Sequence, residues 1–336
     1  MERGVEQRVE GLASVRIHDV AIVQLVDIDA VEERLVADAS ERVVRNASHE
    51  ELDLTYIQRM VKLARRLTRP GAEIAFADFG GDGSSVVLIH GAGVDHSMFD
   101  EQVPVLTQRG YRVIVWDLRG HGQSALSPGE RFTASDALED LDALLAECGV
   151  DAPVLVGHSL GGNLAQAFAR KFPQRVGGVI VLDSTWNAGP LSALERFALR
   201  LAAPGLAVIP AGRLPRIMAQ ASATTPKAIA RTEALFTRIP KRTFLDVWRA
   251  TASFVAPEPG YRSPVPLALV RGAEDRTGNI ATAMPRWADA EGLVEHVVPG
   301  AGHMVTMDAP AETSRLLVSI LDDWDQRPVA SERRSR

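Results

Sequence analysis

From residue 73 onward, short apolar runs rich in β-branched residues alternate with longer stretches whose apolar positions recur at helical spacing. The runs read as strands are "EIAFADFG" (73–80), "VVLIHG" (86–91), "RVIVWDL" (112–118), "APVLVG" (152–157), "GVIVLD" (178–183), "VPLALVRG" (265–272) and "VEHVVPG" (294–300). Helical periodicity falls between them at 97–108, 134–147, 160–172 and 280–290, and again at 310–325. Strand alternating with helix predicts a mostly parallel sheet joined by right-handed crossovers, with helices on both faces. The strands are apolar almost throughout, as burial on both faces requires. One crossover, 184–264, is too long for a single helix. It is rich in Ala, Leu, Arg and Pro, and four helices are predicted at 191–203, 211–220, 225–239 and 241–254. An insertion at the carboxyl edge of the sheet would lie over any site there, so 185–264 is read as a helical cap.

The first 70 residues differ in character. A strand is predicted at 13–28, a charged helix at 29–46 and a second helix at 49–71. The second is acidic early and basic late, as the helix dipole favours, and Pro70-Gly71 is read as its stop. Residues 1–70 are therefore expected to be a mostly helical or poorly ordered extension. Met60, just ahead of the change, offers an alternative start to the chain. The core is expected over 71–184 and 265–326, and 327–336, ending "SERRSR", as a disordered tail.

Composition narrows the classes. At roughly 150 residues per domain, 336 residues suggest two domains or one large α/β domain. With 46% hydrophobic and 24% charged residues, there is material for a sizeable core. A net charge of −6 argues against general nucleic-acid binding, which needs a basic surface. The single cysteine, Cys148, excludes an intrachain disulfide and a cysteine metal cluster, and points to a reducing compartment, the cytoplasm. It lies at a predicted helix end and is read as packing. The charged start has no apolar signal core, and no run of about 18 apolar residues predicts a membrane span. Asn46-Ala47-Ser48 matches a glycosylation sequon and is read as chance. Nothing in the sequence speaks to oligomeric state.

Chemistry concentrates at "VLVGHSLGGN" (154–163), where a buried strand turns sharply into a helix. A serine on such a turn has its hydroxyl exposed, and Gly157 and Gly161 relieve the crowding the turn creates. The helix that follows offers unpaired N–H groups, so the N–H of Leu160 can stabilise an oxyanion formed at Ser159. An alcohol needs a base, and the base needs an orienting acid. His303, in "GAGH" after the last strand, is the base candidate. Asp275, in "GAED" after 265–272, is the acid candidate. Both fall on carboxyl-end loops, the same edge as Ser159. A second oxyanion donor is placed at the N–H of Ala92, where Gly91 and Gly93 let the backbone approach a ligand.

Five motifs, "HGAG", "WDLRGHGQS", "GHSLGG", "GAED" and "GAGH", stand in an order that resembles the α/β-hydrolase superfamily over residues 73 to 326. The resemblance implies an α/β-hydrolase fold with a cap inserted after the sixth strand. It implies Ser159, Asp275 and His303 as nucleophile, acid and base, and Ala92 and Leu160 as oxyanion hole. Capped relatives include esterases, lactonases, carbon–carbon bond hydrolases, epoxide hydrolases and dehalogenases. The last two use an aspartate nucleophile, and a serine at 159 points away from them. The expected reaction is hydrolysis of a small or medium apolar ester or lactone through an acyl-serine, with no cofactor and no metal. Met98, Phe99 and Trp186 are the candidate substrate-lining residues.

Other readings were weighed. Carbon–carbon hydrolysis and cofactor-free haloperoxidase chemistry share the triad, and a slowly turning receptor would keep it. "GAGVDH" with Asp117 faintly resembles a dinucleotide fingerprint, but His96 stands where the third glycine would pack. Asp183 is a rival acid; Glu274 would face away from Asp275's direction. His158 is read as structural and pointing away from the reaction. His90, His121, Asp117 and Arg119 are read as loop-fixing residues, and His96 as a solvated helix start.

Overall fold

The structure, a computed structural model, describes residues 61–326. In chain order, β1 (Arg65–Arg69), β2 (Ala72–Asp78) and β3 (Ser85–Ile89) are followed by a 3-10 turn (His96–Phe99) and α1 (Gln102–Gln108). Then come β4 (Arg112–Trp116), β5 (Ala125–Leu126), α2 (Ala134–Cys148), β6 (Val154–His158), α3 (Leu160–Lys171) and β7 (Gly178–Leu182). Four helices follow: α4 (Ala193–Val208), α5 (Leu214–Ser222), α6 (Pro226–Arg238) and α7 (Lys241–Phe254). The chain closes with β8 (Leu267–Gly272), α8 (Ile280–Glu291), β9 (His296–Val298), α9 (Val305–Asp308) and α10 (Pro310–Asp325).

All strands join one sheet in the order β1-β2-β4-β3-β6-β7-β8-β9, with β5 paired to β2. The pairs from β4 through β9 are parallel, and β2 is antiparallel to both its neighbours in that order. Successive residues of a strand feed opposite faces. Val86 and Leu88 join one apolar cluster, Val87 and Ile89 the other. Val113 and Val115 divide from Ile114 and Trp116 in the same way. Both faces of the sheet are therefore covered, which is why the strands lack a polar alternation. Helix ends are set locally: Thr133 caps α2 and Thr225 caps α6, each accepting from a first-turn N–H.

The helix expected at 49–71 ends differently. Residues 65–69 form an edge strand, and Pro70-Gly71, with Gly71 at φ 69°, is a hairpin turn pairing Arg69 with Ala72. The turn chemistry read as a helix stop is a strand reversal. Val61 and Leu63 are buried while Lys62 and Ala64 are exposed, so the core reaches back to Val61, ahead of the expected boundary at 71. The strand expected at 13–28, the helix at 29–46, the rest of 49–71 and the tail at 327–336 lie outside the described residues. The four-helix insertion leaves the sheet after Leu182; in chain order it follows the seventh strand, not the sixth, since β1 and the two-residue β5 join the five strands read from the sequence ahead of it. Among the described residues no helix is long and apolar enough to cross a membrane.

Candidate active site

Ser159 sits between the end of β6 and the start of α3 at φ 51°, ψ −115°. A non-glycine residue holds such a conformation only where its surroundings impose it. They do here: a Cβ on Gly157 would lie 2.3 Å from the Gly161 carbonyl oxygen, and one on Gly161 2.2 Å from that of Ile89. The turn is held by Ser159 N–H donating to the Leu182 carbonyl at 2.9 Å and by Ser184 Oγ donating to the Ser159 carbonyl at 2.7 Å.

His303 lies on the loop after β9, and Asp275 on the loop after β8. Both are buried, and His303 Nδ1 is 3.0 Å from Asp275 Oδ2. The other carboxylate oxygen, Oδ1, accepts from Thr277 N–H at 2.7 Å. Burial pushes the Asp275 carboxyl up, but His303 and Thr277 together hold it below its ordinary value. It is thus a carboxylate aimed at the imidazole. His158, next to Ser159, packs its ring against that of His303 at 4.8 Å between centroids. Its Nε2 is 2.7 Å from the His303 carbonyl oxygen. Burial, reinforced by His303, drops the His158 ring to a pKa of about 3. It is neutral, and its Nε2–H donates to that carbonyl. His158 therefore faces His303 and does not point away, as its place in the sequence suggested.

Ser159, Asp275 and His303 thus share one edge of the sheet. Among the described residues Ser159 Oγ makes no hydrogen bond, to His303 Nε2 or to any other group. The loop after β3 meets the serine from the other side: a Cβ on Gly91 would lie 3.3 Å from Ser159 Cβ and 2.5 Å from His158 Nδ1. Among the described residues neither Ala92 N–H nor Leu160 N–H has an acceptor.

A cavity of about 110 Å³ opens beside Ser159, between the α3 and α8 starts and the inner faces of α4 and α7. Trp186 lines it, and stacks on Trp287 with ring centroids 5.9 Å apart. His303 and Asp275 are not on its wall. Met98 and Phe99 are not on it either: the 3-10 turn, capped by Asp95, drives both side chains into the apolar cluster under the sheet. Their apolar character, taken as substrate lining, serves packing.

His90 and His96 fasten loops. His90 Nε2 accepts from Leu118 N–H at 2.8 Å and its Nδ1 donates to Gly91 O at 2.8 Å. His96, expected in solvent, is buried; its Nδ1 is 2.8 Å from Asp117 Oδ1, and burial is outweighed by Asp117, which raises its pKa. Arg119 forms a buried two-pronged pair with Asp140 at 2.7 and 2.8 Å. Asp95, His96 and Asp117 have the spacing of a cation site, as do Asp183, Asp275 and His303. In the first group the oxygens are occupied by N–H groups of His96, Ser97 and Gln123. Sequence reasoning missed the support His158 gives His303. It weighed Asp183 only as a substitute for Asp275, whereas the two are neighbours. The signal for Glu195, on the cavity wall, was the capping spacing Ser192-x-x-Glu195.

Comparison with known proteins agrees with this geometry. Residues 86–316 match the alpha/beta hydrolase family. The solved structure of a thermophilic esterase from Thermogutta terrifontis superposes with a TM-score of 0.64 and 26% identity, covering 78% of this chain and 99% of that one. A non-heme haloperoxidase from Rhodococcus erythropolis is 37% identical over 115 residues, 34% of this chain and 41% of that protein. The bifunctional epoxide hydrolase 2 of Sus scrofa is 30% identical over 135 residues, 38% of this chain. That match spans only 24% of the pig protein's length. With a family match over more than half its length and a sheet, turn and loop order to fit, the chain belongs to the alpha/beta hydrolase family.

Proposed function

We propose that the protein is a serine hydrolase that cleaves a small carboxylic ester or lactone through an acyl-serine intermediate. The observation that carries the reading is the 3.0 Å contact from His303 Nδ1 to Asp275 Oδ2, at the sheet edge where Ser159 stands on its strained turn. In this reading His303 Nε2 removes the Ser159 proton as Oγ attacks the carbonyl carbon. Asp275 holds the Nδ1–H tautomer and stabilises the imidazolium. The N–H groups of Ala92 and Leu160 receive the charge on the carbonyl oxygen. His303 passes the proton to the leaving alcohol, then takes one from water, which releases the acid from Ser159. The serine-to-histidine hydrogen bond forms as substrate fills the cavity; catalytic hydrogen bonds are often long before it does.

An alcohol at the turn supports acyl transfer over alkyl-enzyme chemistry. The cavity of about 110 Å³ supports a small substrate, and the helices α4 and α7 that wall it support the reading of residues 185–264 as a cap. The lone cysteine supports a cytoplasmic setting. The likeness to an esterase favours ester hydrolysis, and the likeness to a non-heme haloperoxidase keeps haloperoxidase chemistry as the second reading. The test is a fluorophosphonate probe with a panel of chromogenic esters and lactones. Labelling at Ser159, ester turnover, and a loss of roughly 10³-fold or more in kcat for Ser159→Ala are expected. A folded Ser159→Ala protein that keeps a tenth or so of the activity rejects the mechanism.

A further inference from the structure

The wall of the cavity beside Ser159 carries one ionisable side chain among the described residues, Glu195. The others are apolar or neutral, with Asn163, Thr185, Thr251, Thr277 and Asn279 supplying the polar atoms. Its position is fixed from two sides. Ser192 and Glu195 close a capping box at the start of α4: Ser192 Oγ accepts from Glu195 N–H at 3.1 Å, and Glu195 Oε2 accepts from Ser192 N–H at 2.7 Å. Asn279, just ahead of α8, donates from Nδ2 to Oε1 at 3.0 Å. The carboxylate therefore bridges the insertion and the core at the cavity.

Its charge survives there. Burial pushes the Glu195 carboxyl up, but the hydrogen bonds from Asn279 and Ser192 outweigh it and hold the group below its ordinary value. The start of a helix favours an anion as well. Arg286, exposed on α8, adds to the same bias from beyond ion-pair distance and is not on the cavity wall. A carboxylate has about four acceptor sites, and the two contacts above leave the rest available.

Resting on the serine-hydrolase reading, we propose that Glu195 sets the charge preference of the site: esters bearing an ammonium group near the reacting carbonyl are selected, and carboxylate-bearing substrates are rejected. Glu195 and Ser159 line the same cavity, so a charge on a substrate seated there lies near the carboxylate, where attraction and repulsion are screened less than in bulk water. The same repulsion sets the dienoic keto acids of carbon–carbon hydrolysis against this site, since they carry a carboxylate.

The experiment compares matched acetate esters of three alcohols, ending in trimethylammonium, tert-butyl or carboxylate, by acid release. The wild type is expected to favour the ammonium ester over the carboxylate ester in kcat/KM by roughly tenfold or more at low salt. The ratio should shrink as NaCl rises to about 0.5 M, where screening is short-ranged. Glu195→Gln keeps its one carbonyl oxygen for the capping box at Ser192 N–H, and its NH2 can donate to Asn279 once that side chain turns its Oδ1 over, so the fold is kept while the charge goes and the ratio should fall toward one. A wild-type ratio near one, or a ratio that survives both salt and Glu195→Gln, overturns the proposal. Fluorophosphonate labelling separates the two levels. A labelled Ser159 with no charge order overturns this inference alone, and a Ser159 that never labels overturns the hydrolase reading together with it.

Discussion

Asp183 and Asp275 converge on one imidazole: an oxygen from each and a ring nitrogen of His303 all lie within 4.8 Å of one another. Two carboxylates so close in a buried site cannot both ionise freely. The environment divides them. Asp275 takes the His303 contact and the Thr277 N–H. Asp183, at φ 45° after β7, accepts the Gly272 N–H on Oδ1, and its Oδ2 has no donor among the described residues. Burial, then Asp275, pushes the Asp183 carboxyl well above its ordinary value. Asp183 is the member pushed toward its protonated form and Asp275 the one held as carboxylate.

An amide imitates a protonated acid. Asp183→Asn is therefore expected to keep activity within about tenfold, whereas Asp275→Asn, which removes the charge facing His303, should lose about 10²-fold or more in kcat. Steady-state kinetics on one good ester decides. The opposite ranking would make Asp183 the orienting acid.

The same pair gives stability a pH dependence. In the unfolded chain Asp183 ionises near pH 4 or so; folded, it keeps its proton far above that. Across the interval the folded chain holds the extra proton, so this group's contribution falls as pH rises. Asp275 acts in the other direction: its lowered value stabilises the fold above the ordinary carboxylate range and is lost on acidification. Asp183→Asn removes the first effect alone. Urea unfolding at about pH 5 and about pH 8 should show the variant gaining on the wild type at the higher pH. An equal gain at both would mean that Asp183 is ionised in the fold.

Gly91 carries a steric prediction. A Cβ there would meet His158 Nδ1 at 2.5 Å, and backbone and ring are both packed. Gly91→Ala must shift the loop that carries Ala92, the proposed oxyanion donor. A drop of about 10²-fold in kcat with a small change in KM is expected, as for loss of an oxyanion donor. A thermal melt measures the accompanying packing cost, on the order of 1–3 kcal/mol. Unaltered kcat would remove Ala92 from the proposed mechanism.

Much of this was readable in the chain because it is local. "GHSLGG" places Ser159 by its own glycines, and strands such as 86–89 declare themselves by being apolar on both faces. The insertion helices showed through their spacing, and α7 spans the predicted 241–254. What escaped depends on contacts distant in sequence. "RRLTR" has one apolar residue, and its strand state comes from pairing with β2 across Pro70-Gly71. His96 is buried because Asp117 and the Val61 carbonyl take its two ring nitrogens. Met98 and Phe99 are apolar in either role, so only the fold could assign them to the core and leave Trp186 at the cavity. His158 looked like a neighbour of the nucleophile; its role follows from a loop 145 residues away.

That role can be tested apart from any structural one. His158 donates through Nε2 to the carbonyl of His303, and its pKa of about 3 leaves it neutral throughout the working range. Two histidines are thus in contact, and His158 is the neutral donor of the pair. Removing the ring in His158→Ala frees the His303 carbonyl and the imidazole packed at a tilt against it. The base then loses its register with Ser159, and kcat is expected to fall by about 10- to 100-fold. The acid limb of the pH–rate profile should stay where it is, since His158 takes up no proton in the working range. His158→Gln can extend an amide N–H toward the same carbonyl and should recover part of the loss. A displaced acid limb in His158→Ala would show that His158 itself takes up a proton in the working range, and the neutral-donor assignment would fall.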